Sequence, residues 1–216
     1  MLSPDWVSAD PDGRLGATLT YLDALTRRPD TIDDTAVDAA LEAGVVPGAL
    51  EQASLMVALF SYMNRMVDAF GADVTPEEAE RIAAFLDRAG SGSERLGGGR
   101  RPWERLRGSL PDPLAGQLDI IRTGDGDCPV GVRVAIEARV AAVSGATRGP
   151  AGDLPPEVVA LVDTLATDGH GVADAHIEAL TSAGWSEEAI YEMVFVASFA
   201  AGVGRLERSL SVLADR

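Results

Sequence analysis

Residues 184–205, GWSEEAIYEMVFVASFAAGVGR, decide the fold, because residues 44–65, GVVPGALEQASLMVALFSYMNR, repeat their layout. Each stretch opens on a glycine, passes a turn and runs on as an apolar helical segment that closes on an arginine twenty-one positions later. Shifted by 140, the chain aligns on itself without a gap from about residue 15 to residue 70. Asp23 falls on Asp163, Asp34 on Asp174, Gly44 on Gly184 and Arg65 on Arg205, and Leu25, Val37 and Leu50 meet Leu165, Ile177 and Ile190. Ala-rich helices share spacing by chance. A common Gly, Arg and two Asp in one ungapped register are harder to dismiss. The pattern reads as a duplicated three-helix unit, too long and in too few copies for a solenoid.

Working outward, the 216 residues suffice for one sizeable core or two small ones packed together. Ala, Leu and Val dominate and alternating β-branched runs are scarce, so the expected class is all-α, a helical bundle of two related halves. The halves are expected at residues 1–89 and 132–216, joined by residues 90–131. Helices are predicted over residues 15–26, about 34–43, 47–65, 75–88, 111–122, 132–144, 156–166, 173–182 and 187–213. Asp33 or Asp34 and Ser186 are expected N-caps, Gly44 a helix stop and Pro47 a first-turn residue. Thr75-Pro76-Glu77-Glu78 carries a capping-box start, and residues 89–101 read as a Gly/Arg-rich linker. Residues 53–60 are apolar almost all round, which predicts a central, enclosed helix.

Charge narrows the function. A formal net charge of −16 disfavours nucleic acid and anionic membranes as partners. All eighteen basic residues are Arg, so Schiff-base lysine chemistry and a P-loop lysine are excluded. His170 and His176 are the only histidines, too few for a His-rich metal cage, and neither a metal nor a cofactor is expected. Cys128 is the only cysteine; no internal disulfide or C-x-x-C pair can form, and it reads as an unpaired surface thiol. With no basic, apolar leader at residues 1–12 and apolar runs too short for a bilayer, a cytoplasmic chain is expected.

The segments Ala43-Gly44 with Met63-Asn64-Arg65-Met66-Val67-Asp68-Ala69-Phe70, and Ala183-Gly184-Trp185-Ser186-Glu187-Glu188-Ala189-Ile190, resemble the alkylhydroperoxidase-like, carboxymuconolactone decarboxylase-like superfamily. The resemblance spans about half the chain and implies an all-α bundle that self-associates into homo-oligomers. Its peroxidase branch uses a Glu, a C-x-x-C pair and a His. Here Glu137 and Val143-Ser144 fall at that branch's Glu and Val-Ser, while the two cysteine positions carry Gly149 and Gly152. The chain therefore resembles a member without the sulfur machinery.

Three functional readings stay open. One is binding or transformation of a small organic molecule by acid–base chemistry, with Glu137, His170 and His176 as candidate catalytic groups. Tyr62, Asn64, Arg65, Trp185, Ala201, Gly202 and Arg205 are then candidates to contact the ligand, in a cavity beside Ala201 and Gly202. The plainer expectations are that Glu137 pairs with Arg133 four residues back, that Gly202 and Gly204 let helices approach, and that Arg65 and Arg205 bond carbonyls or Asp34 and Asp174. The second reading is a non-enzymatic interaction or scaffold protein. The third is a one-cysteine peroxidase using Cys128, which the acidic Asp125-Gly126-Asp127 context disfavours.

Overall fold

The computed structural model describes residues 13–71, 106, 109–146, 152–214 and 216. Among them all regular structure is helical: α1 (Arg14–Arg27), α2 (Asp34–Glu42), α3 (Pro47–Phe70), α4 (Asp112–Thr123), α5 (Val130–Val143), α6 (Pro156–Thr167), α7 (Asp174–Ser182) and α8 (Glu187–Leu213). Single 3-10 turns, Pro29–Thr31 and Gly169–Gly171, follow α1 and α6. The capping-box segment at 75–78, the helix expected over 75–88 and the Arg-rich linker lie outside the described residues.

Local chemistry sets the boundaries. The Asp33 carboxylate accepts the Ala36 N–H at 3.0 Å to start α2, and Ser186 Oγ accepts the Ala189 N–H at 3.1 Å to start α8. Pro47 occupies the first turn of α3, where a missing N–H is harmless. α2 and α7 each end on a left-handed glycine, Gly44 (φ 87°) and Gly184 (φ 93°). Beyond each glycine the next N–H reaches back, Val45 to the Ala40 carbonyl and Trp185 to the Leu180 carbonyl. These are Schellman stops, and a side chain at either glycine would be strained.

An offset of 140 carries α2 onto α7, the first 3-10 turn onto the second, and the start of α3 onto the start of α8, residue for residue. α3 and α8 pack along each other as the most extensive helix pair. One apolar core gathers α4, α5, α6 and α8; a second gathers α1, α2 and α3 with Leu213. A buried chain of hydroxyls ties the second core to α8: Tyr21 donates to Ser209 Oγ at 2.8 Å, and Ser54 Oγ lies 2.7 Å from Ser209 Oγ. By length and composition α8 is apolar enough to cross a membrane, but 83% of its most apolar stretch is buried within the fold, as befits a core helix.

Two expectations fail here. α3 is not enclosed: Met56, Leu59 and Phe60 are exposed, because the described helices cover only its opposite side. Nor do the described residues leave room for a ligand cavity beside Gly202. Ala201 is wholly buried, and a Cβ on Gly202 would lie 2.4 Å from the Ala58 carbonyl oxygen and 3.4 Å from Tyr62. The nearby void, lined by Tyr62, Leu114 and Phe199, holds about 10 Å³, less than one water. Tyr62 itself packs edge-on against Phe195 and Phe199 at 5.7 and 5.8 Å. The backbone of α3 thus leans directly on Gly202. Gly202→Ala is expected to destabilise the fold by about 1–3 kcal/mol, read from urea unfolding, since a backbone oxygen cannot yield as a side chain would. A neutral result would show that the two helices can part.

Candidate functional site

A cleft of about 830 Å³ is floored by α3, walled by α1 and closed at one end by residues 167–170. Its apolar side comes from Leu22, Met56, Val57 and Phe60, and its polar side from Asn64, Asp68 and His170. The His170 Nδ1 lies 3.0 Å from Asp68 Oδ1, joining the turn after α6 to α3. The ring is 83% exposed while Asp68 is largely covered, so the carboxylate holds Nδ1 of an imidazole that otherwise stands in the open. Gly169 makes that approach possible: a Cβ there would stand 2.9 Å from Arg65 Cγ and 3.3 Å from Asp68 Oδ2.

Arg65 lies beneath this pair, buried, with every nitrogen committed. Its Nε donates to the Leu165 carbonyl at 2.6 Å, Nη1 to Ser61 Oγ at 2.6 Å and to the Ser61 carbonyl, and Nη2 to the Ala166 carbonyl at 3.4 Å. Arg205 does the same in the opposite direction: Nε and Nη2 donate to the Thr26 carbonyl at 3.1 Å, and Nη1 to the Ala201 carbonyl at 2.8 Å. Carbonyls, rather than Asp34 or Asp174, are the acceptors. Burial lowers the pKa of both guanidiniums. For Arg205, with Arg65 adding repulsion, the fall is to about 9; for Arg65, Asp68 and Asp168 oppose it.

The other candidates lie apart from the cleft. Glu137 is buried on α5 and accepts a two-pronged bond from Arg122, at 2.9 and 2.7 Å. Its partner is thus fifteen residues back on α4 rather than Arg133, whose Nη2 donates to the Gly124 carbonyl. His176 serves the start of α7, where its Nδ1 accepts the Ala173 N–H at 3.1 Å. Ala173 stands where the first half has Asp33 and offers no side-chain acceptor; the imidazole takes the N–H of the capping residue itself, a different bond from the one Asp33 makes to Ala36. Trp185 Nε1 points at Glu157 Oε1, 3.3 Å away, and away from the cleft. Of the ten named candidates the cleft therefore unites Asn64, Arg65 and His170. Asp68 was missed, although it sits three residues after Arg65 inside the motif that carried the family resemblance.

Cys128 is not a surface thiol. It is fully buried, and its own N–H and that of Asp127 donate to the Glu192 carboxylate at 3.0 Å each. Burial first, and Glu192 second, raise the thiol to about 11, against a smaller opposing pull from Arg133. The acids responsible are thus not Asp125 and Asp127. Among the described residues no group of three His, Cys, Asp or Glu side chains is placed to hold a metal ion.

Offsetting the cleft residues by 140 shows why it is open. The equivalent space in the other half, between α8, α6 and the turn after α1, is filled by α5 and the two residues after it. Arg139 pairs with Asp163, the counterpart of Asp23, at 2.5 and 2.8 Å. A Cβ on Gly204, the counterpart of Asn64, would meet Ser144 Oγ at 2.9 Å, and one on Gly145 would meet Asp30 Cα at 3.5 Å. Among the described residues no helix takes the corresponding place beside α3. Comparison with known proteins places the chain beside none of them: no family profile, curated protein or solved structure matches it.

Two outcomes follow. Alkylation of Cys128 by iodoacetamide at pH 8 is expected at least about 100-fold slower in the native chain than in guanidinium, given a shift of about two pK units, and still climbing at pH 10; comparable rates would contradict the burial. Arg65→Met is expected to cost about 2–4 kcal/mol in urea unfolding by orphaning the Leu165 and Ala166 carbonyls, and full stability in that variant would refute the clamp.

Proposed function

We propose that the chain binds a small, uncharged organic molecule in the α1–α3 cleft and moves a proton on it through His170. One observation carries this reading: Met56, Val57 and Phe60 line the same cleft as an exposed imidazole whose Nδ1 is tied to Asp68. That arrangement resembles a general base held by an orienting carboxylate. The volume suits a ligand of modest size. Carboxylate recognition is poorly supported, since Arg65 spends its donors on carbonyls and the Arg27 guanidinium is bound to Asp23 at 2.7 Å. Asp168 adds a further negative charge at the rim. A neutral carbonyl compound, with an acidic hydrogen beside the carbonyl, fits the acid–base reading best.

We also infer that the two halves descend from one duplicated unit and that the fold is of the alkylhydroperoxidase-like kind without its cysteines. The shared 140-residue offset of the element starts, the paired Schellman glycines and the exchanged arginine bonds support the duplication. The buried, high-pKa Cys128 weighs against a thiol peroxidase, because only about one thiol in ten thousand is a thiolate at pH 7 when the pKa is about 11.

The test is hydrogen–deuterium exchange beside the carbonyl of cyclic ketones and lactones, followed by NMR in deuterated water with and without protein. Wild-type chain is expected to accelerate exchange of at least one such compound, and His170→Ala to slow that by about 100-fold or more. Amide shifts on titration should centre on Asn64 and Asp68. Equal exchange by wild type and His170→Ala, or shifts confined to another face, would defeat the proposal.

A further inference from the structure

We infer that the side-chain amide of Asn64 is the specificity-determining donor of the cleft: it holds the carbonyl oxygen of a neutral ligand while His170 works on the carbon beside that carbonyl. This rests on the neutral carbonyl ligand proposed above and gives that ligand's oxygen its partner.

Most polar groups lining the cleft are already engaged. The Thr26 and Thr167 hydroxyls donate to the Leu22 and Asp163 carbonyls one turn back, each at 2.7 Å. Ser61 Oγ accepts from Arg65, the other Arg65 nitrogens end on carbonyls, and Arg27 Nε is held by Asp23. Asp68 is taken up by His170. Asn64 is exposed and, among the described residues, makes no hydrogen bond of its own. Its amide therefore meets an incoming ligand with both N–H groups uncommitted.

The place of Asn64 in the helix points the same way. It lies six residues before the end of α3, inside the helix, where asparagine is a poor former because its amide favours caps and turns. No bond within the described fold offsets that. Asp68 stands one turn further on along the same side of α3, so the amide lies one helical turn from the carboxylate that carries the imidazole. In the other half the counterpart is Gly204, where a Cβ would stand 2.9 Å from Ser144 Oγ; an amide fits only on the open side.

Chemistry selects the group that Asn64 holds. Asp23, Asp68 and Asp168 line the cleft with negative charge, so an anionic ligand is repelled, whereas a neutral carbonyl accepts an amide N–H and brings no charge in. When the imidazole takes the proton from the neighbouring carbon, the C–H electron pair moves into the carbon–carbon bond and the carbonyl π pair moves onto oxygen. The oxygen is then an enolate, and its hydrogen bond from Asn64 strengthens. The buried positive charge of Arg65, the next residue along, counters the repulsion of the acids. Return of a proton from imidazolium to carbon restores the ketone, and no further reactant is needed.

Cyclohexanone labelled with carbon-13 at the carbonyl is the probe. Its carbonyl resonance is expected to move downfield on saturation with wild-type chain, and by no more than about half as much with Asn64→Ala. In the hydrogen–deuterium exchange assay Asn64→Ala is expected to slow exchange by about 100-fold, and Asn64→Asp, of like shape but with no N–H and an added negative charge, by at least as much. The urea midpoint of Asn64→Ala should be no lower than that of wild type, since no protein contact is lost. An equal carbonyl shift in wild type and Asn64→Ala, with exchange still dependent on His170, overturns the inference and leaves the proposed function standing. A resonance that wild type does not move overturns both. A lowered urea midpoint in Asn64→Ala overturns the inference too, because the amide would then serve the fold.

Discussion

Two buried guanidiniums hold the halves in register. Arg65 belongs to the first half but donates to the last carbonyls of α6 in the second, and Arg205 belongs to the second but donates to the end of α1 in the first. The last carbonyls of a helix have no acceptor role within it and carry the negative end of its dipole. Each arginine therefore meets a ready-made site, and each helix end gains a cap from the opposite half. Stripping water from two neighbouring cations is costly, which the lowered pKa of both records. That cost is tolerable only while the carbonyls stay in place. The arrangement therefore penalises any sliding of α3 along α8.

Close contact of those two helices follows from the same requirement. Arginine side chains of fixed reach must span from one half to the other, so the backbones between them must come together. Gly202 supplies the space by lacking a Cβ against the Ala58 carbonyl, while Gly204 makes room for Ser144 just beyond α5. Small residues cluster on α8, whereas α3 carries Phe60, Tyr62 and Asn64 at the equivalent positions. Tyr62 uses the room above Gly202, and Asn64 faces the cleft. The halves share a plan, but one is packed tight and the other is left open.

Much of this plan was readable from the amino-acid order. Element starts, glycine stops and the Asp33 and Ser186 caps depend on neighbours within a few residues or on the 140-residue register; for both arginines the choice between carbonyls and Asp34 or Asp174 was left open, because their partners lie far off in sequence. What escaped was set by contacts across long distances in sequence. An apolar run such as residues 53–60 looks central whether or not another helix covers it, because periodicity records which faces are apolar and not what lies upon them. Cys128 seemed exposed from its Gly- and Asp-rich loop; Glu192, sixty-four residues away, folds that loop down through two backbone N–H groups. Glu137 was matched to Arg133 by helical spacing, yet Arg122 on α4 reaches it with better, two-pronged geometry.

The same broken likeness explains why any chemistry should sit on one side only. Asp68 and His170 meet where α3 touches the turn after α6; their counterparts are Arg208 and Asp30, where α8 touches the turn after α1. There Arg208 donates to the Ile32 carbonyl at 2.5 Å, and Gly145, just beyond α5, lies over Asp30. One junction is a sealed contact, and the other holds an exposed imidazole at an open cleft. Among the described residues that difference in cover is what sets the open cleft beside α3 apart from the filled space beside α8.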